Sequence, residues 1–87
     1  MSYSYEEQRA WIFTDEGQRA FTKARDAFLA ATSKTGAARA GLIFETCTGD
    51  SWRTMALLDR MIELGDLAWV EDGKARAWQH RIVEVSA

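Results

Sequence analysis

Cys47 and His80 are the chain's one cysteine and one histidine, the residue types from which a thiolate nucleophile and its base are built. Their number limits the chemistry. A zinc ion takes three or four protein ligands, so one cysteine and one histidine do not furnish a site of the usual kind. Cys47 closes the apolar run "AGLIFETC", where cysteine more commonly serves as a small hydrophobe than as an attacking thiolate. "TGDSWR" places Gly49 two residues before Ser51 but Arg53 two after it, which fails the G-x-S-x-G elbow of serine hydrolases. "SKTGAAR" and "DGKAR" hold fragments of a phosphate loop without its glycine spacing. No carboxylate pair is visibly set in an apolar pocket. The sequence therefore points away from an enzyme, from a resident metal and from a cofactor.

The elements that carry these residues form one unit. At 87 residues the chain is one domain, 1–87, with residues 1–13 as an N-terminal arm or short helix. A chain this short buries only about 60% of its unfolded surface. A hydrophobic fraction of 47% with four tryptophans still suffices for a packed core without a metal or disulfide. The N-terminus "MSYSYEEQRAWIF" lacks the basic start and apolar run of a signal peptide. "AGLIF" falls far short of the roughly 20 apolar residues of a membrane span. A single cysteine fits a reducing compartment. The expectation is a soluble cytoplasmic protein with no membrane partner.

Ser4 with Glu7 has the form of a capping box, so "YEEQRAWIF" opens as a short helix. Thr14 is a second N-cap, followed by Asp15 and Glu16 where the helix dipole favours negative charge. "DEGQRAFTKARDAFLAAT" then sets Ala20, Phe21, Ala24, Ala27, Phe28 and Ala31 on one side at helical spacing, and Gly36 ends it. "AARAGLIFETC" reads as a second main helix, weakened by Gly41. Asp50 or Ser51 caps a third, in which Met55, Leu58, Met61 or Ile62, and Leu64 recur at helical spacing until Gly65. There the period falls to two. Leu67 and Trp69 share one strand face, Asp72-Gly73 signals a two-residue hairpin turn, and "KARAWQHRIVEV" returns with an uncertain register.

This order resembles the winged helix-turn-helix superfamily. The residues that carry the resemblance are "TGDSWRTMALLDRMIELGDLAWVEDGKARAWQHRIVEV": turn, third helix, first wing strand, wing and return. It implies a mainly α fold with a small β-hairpin (α+β), three main helices and a C-terminal two-stranded wing. It also implies binding to double-stranded DNA and transcription regulation, with residues 50–64 as the reading helix. Met55, Leu58 and Ile62 would face the core. Arg53, Leu57 and Arg60 would face outward, with Ser51 and Thr54 near the N-terminal end. Arg53 would read a guanine edge, and Lys74 and Arg76 on the wing would hold phosphates.

Charge pulls the other way. The net charge is −2, and no third of the chain is basic. Asp50, Asp59 and Glu63 outnumber Arg53 and Arg60 on the third helix, and Glu71 and Asp72 begin the wing. Phosphate neutralisation supplies most non-specific DNA affinity, so so few cations give a weak monomeric binder. Trp11, Trp52, Trp69 and Trp78 support an alternative, an acidic protein–protein adaptor or dimerisation module without nucleic acid. An aromatic wing and an aromatic N-terminal arm would bury each other between two subunits, since interface cores favour Trp, Tyr and Arg. The same aromatics fit a well-filled monomer as well as a homodimer.

Overall fold

The computed structural model describes residues 2–47, 49–70 and 77–86. Two helices open the chain, α1 (Tyr5–Ile12) and α2 (Asp15–Thr32). The strand β1 (Ala37–Arg39) leads through a 3-10 turn (Ala40–Leu42) into the four-residue α3 (Ile43–Thr46). Then come α4 (Ser51–Glu63), β2 (Leu67–Trp69), a second 3-10 turn (Trp78–His80) and β3 (Ile82–Val85). The fold is mainly helical with a small three-stranded antiparallel sheet.

Local stop and start signals act where the sequence places them. The Thr14 hydroxyl accepts from the Gly17 amide at 3.0 Å and starts α2. The Asp50 carboxylate accepts from the Trp52 and Arg53 amides at 2.8 and 3.2 Å, which selects Asp50 over Ser51 as the cap of α4. Ser4 makes no side-chain cap, so the expected capping box is not formed. Gly65 sits at φ 88°, and the Gly65 and Asp66 amides bond back to the Ile62 and Met61 carbonyls. That pairing is the glycine-ended helix stop in which the last carbonyls are satisfied. Arg25 of α2 grips Asp66 with two bonds of 2.7 and 2.9 Å, fastening this stop to α2.

Two expectations are corrected by long-range pairing. Residues 37–47 are not one helix: Ala37–Arg39 is extended and pairs antiparallel with β3, Ala38 facing Val83. Alanine favours helix, but Gly36 at φ 77° breaks from α2 and the backbone donors and acceptors of this segment find their partners in β3. The expected C-terminal strand pair, β2 with β3, is accordingly part of a three-stranded sheet, ordered β1-β3-β2, rather than a two-stranded ribbon. The return strand is also shorter than "KARAWQHRIVEV", because Trp78–His80 form a 3-10 turn before β3. The β2–β3 register pairs Leu67 with Val85 and Trp69 with Val83. The expected Asp72-Gly73 turn lies outside the described residues.

Ile12, Ala24, Phe28, Ala40, Ile43, Ala56, Leu57, Leu58, Met61, Leu67 and Val83 form the core, so every helix and two of the three strands contribute. In α2, Ala24 and Phe28 are buried as expected, whereas Ala27 and Ala31 are exposed. In α4 the buried face is turned from the expected one. Thr54, Leu57, Leu58 and Met61 point inward, Met55 is half-buried and Leu64 is 51% exposed. Thr54 tolerates burial because its hydroxyl donates to the Asp50 carbonyl at 3.0 Å.

Candidate functional site

The side of α4 opposite the core is the surface on which a reading helix would act. It is covered by α1, which packs along α4. The cover is polar and specific. The Tyr3 hydroxyl donates to Asp59, and the Tyr5 hydroxyl donates to Glu63 at 2.8 Å. Arg9 Nε reaches both Glu63 oxygens at 3.1 and 3.2 Å, and Arg60 Nη1 donates to the same carboxylate at 2.6 Å. Aromatic faces take up what remains. Arg9 and Arg60 both lie over Phe13, 4.9 and 5.0 Å from its centre, and Arg53 lies 5.0 Å over Trp11.

The electrostatics follow from this crowding around one carboxylate. Hydrogen bonds from Tyr5, Arg60 and Arg9, in that order, hold Glu63 down at about 2. Burial, reinforced by Glu63, pushes the Tyr5 hydroxyl up to about 12. Tyr3 is raised further, by burial first and then by its bond to Asp59. Burial also raises Asp59, against the opposing effects of the Tyr3 hydrogen bond and the positive charge of Arg81. At neutral pH the tyrosines are therefore donors and Glu63 an acceptor, the protonation states that keep α1 attached.

The residues expected to touch DNA are divided by this arrangement. Ser51 and Arg53 are exposed at the start of α4, though the Arg53 guanidinium is stacked on Trp11. Arg60 is paired with Glu63 and its side chain is 19% exposed. Thr54 and Leu57 are 4% and 1% exposed, so they belong to the core and cannot meet a base edge from where they stand. The sequence pattern puts Leu57 outward because the apolar residues of "TMALLDRMI" are dense enough to draw two helical stripes, of which packing against α2 and α3 selects the one through Leu57. Lys74 and Arg76 lie outside the described residues.

The tryptophans separate into two groups. Trp78 is the hub of an aromatic cluster, edge-on to Trp69 at 5.9 Å, to Phe44 at 5.9 Å and to Tyr3 at 6.4 Å. The aromatic arm and the aromatic tail therefore meet within a single chain. Arg81 lies 4.0 Å over the Trp69 ring, and its buried Nε has no hydrogen-bond partner among the described residues. Trp11 lines a cleft of about 110 Å³ with Glu16, Cys47, Asp50, Arg53 and Thr54, while Trp52 is half-buried beside the Asp50 cap. Cys47 contacts the Thr54 hydroxyl at 3.6 Å, and His80 is exposed on the 3-10 turn. Among the described residues, no three of His, Cys, Asp and Glu gather to hold a metal ion.

The clamp formed by Tyr3, Tyr5, Arg9, Phe13, Asp59 and Glu63 is not legible in the sequence. Its signal is faint: two tyrosines ahead of a short helix, and two acids four residues apart on a distant one. Among the described residues, no helix is long and apolar enough to cross a membrane. Comparison with protein-family models, with curated proteins and with solved structures gives no match to this chain.

Proposed function

We propose that this chain is a winged helix-turn-helix domain used to dock protein rather than to read DNA. The fold part of this proposal is supported by α3 and α4 lying in contact across the turn at Gly49, and by β2 and β3 pairing behind α4. The functional part rests on one observation: α1 occupies the outer face of α4. A reading helix must lay that face in the major groove. Here Arg53 and Arg60 are engaged by Trp11, Phe13 and Glu63, and approach to a groove would first require α1 to be displaced. The docking surface that best fits is the cluster around Trp78, where Phe44 is 38% exposed and Arg81 stands over Trp69. Tyr, Trp and Arg are the residues that interface cores favour.

DNA binding is the second function the site supports. It is favoured by Arg53 and Arg60 standing together on one helix, with Lys74 and Arg76 further along the sequence. Titration of the full chain into mixed-sequence duplex at several ionic strengths separates the two. The docking proposal expects no binding at physiological salt. A Kd that rises steeply with salt, and that Arg53→Ala weakens further, would reject it in favour of DNA.

A further inference from the structure

We infer that α1 is an exchangeable element, which swings about Thr14 to dock on the α4 of a second copy of this chain. This goes beyond the docking surface around Trp78: it adds a second contact, on the face where α1 meets α4, and names a copy of this chain as the partner there.

The corner between α1 and α2 is almost helical already. Phe13 has φ −86° and ψ 1°, and only Thr14, at φ −76° and ψ 163°, is extended. Turning ψ of Thr14 to the helical value of about −42° would join α1 and α2 into one rod over residues 5–32. No proline obstructs it, since the chain has none. The rod would carry Tyr3, Tyr5, Arg9, Trp11 and Ile12 away from their own α4. The face best matched to receive them is the same face of an identical chain, with Asp59, Glu63 and Arg53 in place. A reciprocal exchange restores every bond of the clamp and refills the core position of Ile12 in each subunit.

Thr14, Gly17 and Gln18 keep the corner closed in the monomer, the Gln18 side-chain amide donating to the Ile12 carbonyl at 2.8 Å. The Thr14 hydroxyl accepts from the Gly17 amide and donates to the Trp11 carbonyl at 2.7 Å, holding Thr14 extended. Gly17 makes the close approach possible. A Cβ there would lie 2.1 Å from the Trp11 oxygen and 2.7 Å from Ile12 Cα, both backbone atoms that no side-chain movement can clear. In the straightened rod position 17 is a helix interior, where alanine is preferred to glycine. A closed corner keeps α1 at a high effective concentration over its own α4, so the wild-type chain is mostly monomeric. Loss of the Thr14 bonds or of the Gly17 close approach shifts the balance toward exchange.

Sedimentation velocity over micromolar to millimolar protein tests this. Gly17→Ala should lower the dimer Kd roughly tenfold or more, because both corners of the dimer gain. Thr14 is exposed, so Thr14→Ala folds without disturbing the core and should shift the equilibrium in the same direction. To separate exchange from simple side-by-side pairing, Arg9→Glu and Glu63→Arg are placed in two different Gly17→Ala chains. Each chain alone sets like charges at the clamp. Mixed, only reciprocal exchange gives two opposite pairs, so heterodimer should exceed the statistical proportion. If Gly17→Ala does not fold, the two charge changes are made in Thr14→Ala chains. Strictly monomeric variants, or a statistical mixture, would overturn the inference. Neither outcome touches the DNA titration, by which the docking proposal stands or falls separately.

Discussion

Leu57→Ala distinguishes the two faces that α4 could turn inward. Leu57 is 1% exposed among Ile12, Phe28, Leu58 and Met61 of the same core, so truncation removes three buried carbons. At about 0.8 kcal/mol for each, the transfer loss is roughly 2.4 kcal/mol. The cavity left behind adds to this and brings the total to about 3–4 kcal/mol, within the usual span for such a change. A domain of this size shifts its Tm by roughly 4–8 °C per kcal/mol, so melting should fall by more than about 12 °C. Urea unfolding followed by far-UV circular dichroism gives the free energy directly, with an unchanged m-value expected. Met55→Ala is the control, because Met55 is half-buried and stands outside the core cluster, and it should cost clearly less. A loss below about 0.5 kcal/mol at Leu57, the range of ordinary surface changes, would refute the packing of α4 described above.

Glu63 makes stability depend on acid pH in a defined direction. Its folded pKa of about 2 lies below the ordinary 4.5, so its contribution is fully present above pH 4.5 and is lost as pH falls toward 2. Glu63→Gln should flatten that part of the stability curve, which urea midpoints measured across the interval will show; an unaltered slope would mean that the clamp on Glu63 is not formed in solution. Gly65→Val places a β-branched residue at φ 88° and should cost more than about 1 kcal/mol, although open space surrounds the position. Urea unfolding at equilibrium measures it, and a neutral result would move the end of α4.

Local chemistry was legible in the sequence because it acts within a turn or two of the residue that causes it. Thr14 and Asp50 cap helices, Gly36 and Gly65 end them with positive φ, and the hydrophobic period falls to two where β2 begins. A single mainly helical unit with a C-terminal antiparallel pair follows from those signals alone. Three features depend on partners distant along the chain. Residues 37–39 are alanine-rich and carry no period of their own, so pairing with β3 decided between helix and strand. The apolar residues of α4 draw two stripes at helical spacing, and packing against α2 and α3 chose one, taking Leu57 and Thr54 from the outer face into the core. The clamp of α1 on α4 joins residues more than fifty positions apart, Tyr3 to Asp59 and Tyr5 to Glu63, so no local pattern announces it. Caps and turns are set by neighbours in sequence, whereas the accessibility of a helix face is set by what folds over it.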